Sequence, residues 1–511
     1  MRIALDALAS DSPYTQANGT VEISSVNVEW YAFLGIPDTY TGNFECSDEQ
    51  LTQYWYGAAY TNEMCIATFT PNTTDPRDAN SPGLDGKLVL QDGAKRDRDP
   101  YVGDVAVPGR TTYLTHLQAS HAAKNVLADL AEHQRADGWI PPASISNYTL
   151  PLFDYPLWWV VSSWEYVLYT GDTDYAKTYW PNLVKVLDSF YPSVTNSSSE
   201  LLSKGSGVTE GYGDYAFLPR TGQVTYYNAF YLGEAATSKR WNGEGEAVSK
   251  AINAHLWDAK VEAYLDSTNL TTSINQTRHA QDGNGIAVLA GVASPNRAKA
   301  ALNYLSSSTG LEYGNAFFDG RLPDVDNATQ RVYAFTSLFE LQGRFLTPGL
   351  SESAIEEISR LYGWMATHDP MITNWEGIGP GGLLYEQGYT SMAHGWSTGI
   401  VSLMSNYVLG VMPTSPGFAT WTLKPIPAGL KWAKGRVGTP RGDIVVYWRS
   451  EKNEFRLQVT IPDGTSVEVG IPAQEGGKIL VDGEQVEAAY EAGYAELDTL
   501  KPGTHIVVAK Q

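Results

Sequence analysis

Apolar residues recur every three to four positions through most of the stretch from Ser47 to about Met412, the spacing that turns one face of a helix toward a core. The clearest of about eleven such runs are LTHLQASHAAKNVLADLAEHQ (114–134), DYPLWWVVSSWEYVLYTG (154–171), DYAKTYWPNLVKVLDSF (174–190), TQRVYAFTSLFELQGRF (329–345) and SESAIEEISRLYGWMATH (351–368). Helix starts are signalled by Asp172 after Gly171 and by Ser351 after Pro348-Gly349. Beyond Met412 the pattern becomes two-residue alternation in short β-branched runs: GDIVVYWRS, EFRLQVTIP, TSVEVGIP, GKILVDG and THIVVAKQ, separated by Gly, Pro and Asp turns. VEISSV (21–26) and NVEWYAFLGI (27–36) read as a few strands ahead of the helices.

These patterns predict a mainly α protein in three parts: a short N-terminal β segment (1–45), a helical domain (46–412) and a C-terminal antiparallel β-sandwich (413–511). About a dozen helices joined by Gly- and Asp-rich loops suit hairpins closed into an (α/α)6 toroid, with long loops at one end forming a funnel. No fixed repeat period is visible, which disfavours a regular solenoid.

Composition narrows the partners. A formal net charge of -22 repels phosphate backbones and anionic lipid, so neither nucleic acid nor a membrane surface is expected as partner. Aromatics reach 12%, including 15 Trp and 31 Tyr; most fill helix interfaces, but rings of this kind also stack on sugar faces. No His-Glu-x-x-His, Cys-x-x-Cys or EF-hand pattern occurs, so no metal or other cofactor is expected. The opening residues lack the apolar core of a signal peptide and read as mature sequence behind a start Met. Export is expected instead from seven Asn-x-Ser/Thr sequons, at Asn18, Asn72, Asn147, Asn196, Asn269, Asn275 and Asn327. Chance would place roughly three in a chain this long. The two cysteines, Cys46 and Cys65, allow one disulfide in an oxidising compartment, or two buried thiols.

Three stretches carry candidate chemistry. DGAKRDRDPYVGD (92–104) is more than half charged in a chain that is 18% charged. It reads either as a solvated loop or as a site in which interleaved bases hold a carboxyl at a working pKa, with Gly93 and Gly103 permitting close backbone approach. In MITNWEGIGPGG, Glu376 follows Trp375 ahead of a Gly/Pro-rich turn; an acid beside an indole, short of solvent, suits base catalysis. In SMAHGWSTG, His394 and Trp396 stand at the start of a helix of small residues, where His394 is either a ligand-binding group or a satisfied core histidine.

Taken together and in this order, DGAKRDRDPYVGD, TNWEG and SMAHGWSTG resemble the motifs of the glycoside hydrolase family 78 α-L-rhamnosidases, especially the fungal branch. The likeness extends through TGNFECSDEQLTQYWYGAAYT, DYPLWWV, GDYAFLPRTGQVTYYNAFYLGEA and HAQDGNGIAVL to the C-terminal strands. It implies an (α/α)6 catalytic barrel and inverting hydrolysis of terminal α-L-rhamnose from a rhamnosylated small molecule or plant glycan. Carried over by position, Asp97 stands where the family has its general-acid Glu, Arg98 at the Arg beside it, Tyr101 at a Trp and Asp104 at the loop's last Asp, with Asp92 at the first. Glu376 falls at the general base, with Trp375 beside it; His394 falls at a sugar-binding His, and Trp158, Asp214 and Tyr215 resemble positions lining the sugar pocket. The Asp-for-Glu exchange keeps two other classes open: a different glycosidase or polysaccharide lyase on the same toroid, and a non-catalytic carbohydrate-binding protein.

Overall fold

The computed structural model describes residues 22–27, 37–70, 81–94, 98–143, 152–204, 215, 220–236, 242–269, 274–275, 277–320 and 330–510. Residues 1–32 form one unit, of which the described part, 22–27, is irregular rather than the strand that VEISSV suggested; NVEWYAFLGI lies almost wholly outside the described residues. The remainder, 33–511, is a second compact unit.

Among the described residues of that unit, twelve principal helices alternate between two rings. They are α1 (Glu49–Cys65), α2 (Val102–Thr115), α3 (His121–Glu132), α4 (Tyr155–Thr170), α5 (Thr173–Lys185), α6 (Thr225–Ala236), α7 (Asn242–His255), α8 (Gln281–Leu289), α9 (Pro295–Thr309), α10 (Ala334–Leu346), α11 (Ser351–Thr367) and α12, an α-turn at Ile400–Ser402 that widens into a π-helix at Leu403–Val408. The even-numbered helices pack in succession, α2 on α4, α4 on α6, and so on until α12 returns to α2, while the odd-numbered helices sit outside them. This is an (α/α)6 barrel. Burial follows the rings: α2, α8 and α10 are buried almost all round, whereas α5 and α9 bury single stripes, as their amphipathic sequences require.

Local chemistry sets the helix ends. Asp48 caps α1 by accepting from Gln50 N (2.9 Å) and Leu51 N (3.3 Å), and Asp172 caps α5 through Tyr175 N (3.0 Å). Helix α11 starts at Ser351 with Leu350 at the cap position and no side-chain cap. The run 114–134 is not one helix but two pieces, parted at His116–Ser120. Thr41 causes the break: its N–H donates to Thr115 O (2.8 Å) and its hydroxyl accepts from Leu117 N (3.0 Å), so groups a continuous helix would use are taken by a distant strand end.

The C-terminal region is a two-sheet sandwich. Its seven-stranded sheet runs in the order 43–46, 432–439, 442–451, 454–461, 503–510, 478–481, 484–486, and the five-stranded sheet in the order 411–413, 420–423, 466–472, 494–500, 489–491. All pairs are antiparallel except 420–423 with 466–472. Ile444, Val446 and Trp448 point into the core while Val445 and Tyr447 face solvent, the alternation read from the sequence. The N-terminal strand Asn43–Cys46 is thus an edge of the C-terminal sheet, and the Trp448 indole donates to Val408 O (2.9 Å), fastening the sandwich to the end of α12.

Cys46 and Cys65 are free buried thiols at opposite ends of α1. Cys46 Sγ lies 3.9 Å from Thr52 Oγ1, and the helix from Thr52 to Cys65 spans about 20 Å, far beyond disulfide reach, so the alternative of two buried thiols holds. Burial pushes both thiols up in pKa, which keeps them protonated.

A buried polar knot ties α8, α10 and α11 together. Gln281 Nε2 donates to Glu340 Oε2 (2.7 Å), Asn315 Nδ2 to Glu340 Oε1 (2.9 Å) and Glu357 Oε2 (3.0 Å), and Arg344 Nε lies 3.4 Å from Glu357. Burial, reinforced by the Glu340 charge, raises the Glu357 pKa well above its ordinary value. Folding therefore takes up a proton at Glu357 between the unfolded carboxyl's pKa of about 4.3 and its raised folded value, and stability present at low pH is lost as pH rises across that window. Glu357→Gln, which mimics the protonated acid, is expected to raise the melting temperature, with a gain that grows between pH 5 and pH 8 in a thermal-unfolding series.

Candidate active site

The segments that precede the inner helices gather at one end of the barrel, where helix N-termini favour negative charge. Three backbone stretches form its floor. Ala94 N donates to Ala393 O (2.9 Å), Gly395 N to Asp92 O (2.6 Å), His394 N to Asn374 O (3.0 Å), and Glu376 N to Ser391 O (2.8 Å). The charged loop and the Glu376 segment therefore flank one shared strip, 391–395. Gly93 makes the approach possible, since a Cβ there would stand 2.6 Å from Ser391 Oγ and 3.0 Å from His394 Nδ1.

Glu376 is buried, with Oε1 accepting from Tyr385 Oη (2.7 Å) and Oε2 from Ser391 N (2.8 Å). The indole beside it is that of Trp396, whose Nε1 donates to Glu376 O (2.8 Å). Trp375 is buried too, with its ring edge-on to His368 (6.5 Å) at the end of α11. His394 Nε2 lies 2.9 Å from Asp104 Oδ1, and its ring leans on Trp396 at 4.7 Å.

The charged loop is anchored from within. Asp92 Oδ1 accepts from Asp99 N (3.1 Å), Asp92 N donates to Asp99 O (2.9 Å), and Arg98, exposed and with φ of 52°, donates to Ala94 O (3.0 Å). Asp97 lies outside the described residues, as does Asp214. Tyr101 precedes α2, its ring 6.2 Å from that of Tyr155 and nearly perpendicular to it. Burial, with Asp104 and Asp154 nearby, holds the Tyr155 phenol well above its ordinary pKa and keeps it protonated.

From Trp396 the wall continues as aromatic rings. Tyr215 meets Tyr226, Phe335 and Trp396 edge-on, and Phe335 stacks on Trp396 at 5.2 Å. Trp158 sits one turn into α4, its ring against Phe230, Phe335 and Phe339; its Nε1 donates to Tyr226 Oη (3.0 Å) and Asp154 Oδ2 (3.3 Å). Trp158 thus packs against Phe335, the ring that stacks on Trp396.

Several functional candidates were not singled out in the sequence: Tyr385, Asp99, and the pair Arg220 and Asp282. Asp282, fully buried at the start of α8, accepts from Arg220 Nη1 (2.7 Å), Arg220 Nη2 (3.0 Å), Tyr215 Oη (2.9 Å) and Gly283 N (2.6 Å). Arg220 Nε also lies 3.2 Å from Asp266 Oδ1. Asp282→Ala leaves a buried guanidinium short of its bidentate partner and is expected to cost about 3–5 kcal/mol, read by denaturant unfolding.

Two family models match the chain: the bacterial alpha-L-rhamnosidase 6 hairpin glycosidase domain over residues 88–310, and the bacterial alpha-L-rhamnosidase C-terminal domain over 410–485. Together they cover more than half of it. An alpha-L-rhamnosidase of Alteromonas sp. (strain LOR) is 23% identical over 383 residues, 68% of this chain and 38% of that protein. The rhamnosidase of Bacillus sp. GL1, a family 78 structure, superposes with a TM-score of 0.65 at 22% identity over 84% of this chain and 43% of that one. The Streptomyces avermitilis alpha-L-rhamnosidase complexed with L-rhamnose gives 0.67 at 16% identity over 92% and 42%. The chain spans well under half the length of the curated relatives it matches. Barrel, sandwich and buried acids at the mouth define a six-hairpin glycosidase fold. The chain carries the six-hairpin and C-terminal domains of the bacterial alpha-L-rhamnosidase family, in that order. Both matching models describe bacterial domains, and the expected fungal branch is not distinguished by these matches.

Proposed function

We propose that this protein hydrolyses terminal α-L-rhamnosides with inversion, Glu376 taking a proton from the attacking water and Asp97 giving one to the leaving oxygen. The observation that carries the reading is the shared strip 391–395 between the Glu376 segment and the charged loop. Two steps of backbone pairing, each about 4.8 Å, separate the loops by about 10 Å. A spacing of the loops on this scale suits inversion, which needs its two carboxyl groups about 6.5–9.5 Å apart to admit a water. The aromatic wall of Tyr215, Phe335 and Trp396 suits a 6-deoxy sugar, whose methyl group gains from an apolar face where a hydroxymethyl would need a partner. The relative with bound L-rhamnose supports the same sugar. A rhamnosylated small molecule or plant glycan is the proposed substrate, and export is proposed on the sequon excess. The test is a panel of p-nitrophenyl glycosides (α-L-rhamnoside, α-L-arabinoside, β-D-glucoside, α-D-mannoside), with proton NMR of the first-formed sugar. Release from the rhamnoside with β-rhamnose appearing first is the expected result; release from another member alone, or α-rhamnose first, rejects the reading.

A further inference from the structure

Glu376 is held on both oxygens, and one of its donors is a side chain outside every motif of the sequence. Tyr385 Oη donates to Glu376 Oε1 at 2.7 Å while the backbone N–H of Ser391 donates to Oε2 at 2.8 Å. Resting on the function proposed above, we infer that Tyr385 is a positioning residue for Glu376: its hydroxyl fixes the plane in which the carboxylate meets the attacking water.

The fold makes a place for this ring. The chain doubles back after Glu376, with Gly379 N donating to Leu383 O (2.6 Å) and Ile378 bridging Leu384, which returns Tyr385 beside the acid. Two glycines clear its seat: a Cβ on Gly377 would stand 3.0 Å from Tyr385 Cδ1, and one on Gly379 only 2.8 Å from Tyr385 Cα. The ring is gripped edge-on by Tyr333 at 5.5 Å, and the Arg331 guanidinium lies 5.3 Å from its centre. Arg331 Nη1 donates in turn to Tyr333 Oη (3.4 Å). Burial, reinforced by the Glu376 charge, holds the Tyr385 phenol far above its ordinary pKa, so it remains a donor at every working pH.

A base that removes a proton from water must be ionised and correctly aimed before attack. Both donors favour the charged carboxylate over the neutral acid. Removing one lets Glu376 protonate at higher pH and turn out of line. Simple packing by the ring would do neither.

The test measures kcat, KM and the pH dependence of kcat/KM for Tyr385→Phe on an aryl α-L-rhamnoside, with thermal unfolding as control. The expected result is a kcat lower by about 10- to 100-fold, KM within about twofold, and an acid limb displaced to higher pH. A single-site fluorotyrosine at 385 keeps the ring and its packing but is a stronger donor, so it moves the limb to lower pH. An acid limb unmoved in both variants overturns the inference whatever happens to kcat, since the ring would then only pack. A wild type inactive on rhamnosides overturns the proposed function and this role with it; an active wild type with unmoved limbs overturns this role alone.

Discussion

Glu376→Gln is expected to lower rhamnoside turnover by about 10²- to 10⁴-fold while leaving the melting temperature and rhamnose binding near those of the wild type. The amide keeps the shape of the acid and can still accept from Tyr385 Oη or Ser391 N, two of the donors that hold the side chain. It cannot accept a proton from water. Azide needs no base, so it can occupy the water's position and restore turnover, yielding a β-configured rhamnosyl azide from an α-linked substrate in a single displacement. The product, identified by NMR, decides the assignment. An α-configured azide would reveal two displacements and a covalent intermediate, and undiminished hydrolysis by the variant would take Glu376 out of the chemistry.

The inner helix α4 was legible because DYPLWWVVSSWEYVLYTG is apolar over most of its surface, and the outer α5 because its faces alternate. Periodicity failed where a remote backbone competed for the helix's own groups, as Thr41 does at Thr115 and Leu117. The site was legible where acids stood in unusual company: Asp92, Asp104 and Glu376 are all buried around one strip of backbone. Tyr385 carried no such mark. It belongs to a loop without periodicity, and its meaning arises only when the chain doubles back at Gly379. Arg220 and Asp282 lie 62 residues apart and become a pair only through the barrel.

Asp97→Asn is expected to show losses that scale with the leaving group: about 10²- to 10⁴-fold on a natural rhamnoside whose alkoxide must be protonated, and far less on a nitrophenyl rhamnoside, whose leaving group is stable as an anion. The surroundings of the charged loop favour this acid over its neighbours. Asp92 receives the Asp99 N–H at 3.1 Å and so holds the loop's shape, and Asp104 lies 2.9 Å from His394 Nε2. A carboxyl engaged by the backbone or by a neighbouring side chain is poorly placed to carry a proton to a sugar oxygen. Asp99, knitted to Asp92 through its backbone, supplies the control. Asp99→Asn should affect both substrates by a similar factor, because loosening the loop changes binding and aim for either leaving group. Steady-state rates on the two rhamnosides for both variants decide the matter. A leaving-group-dependent loss in Asp99→Asn and a uniform one in Asp97→Asn would move the proton donor two residues along the loop.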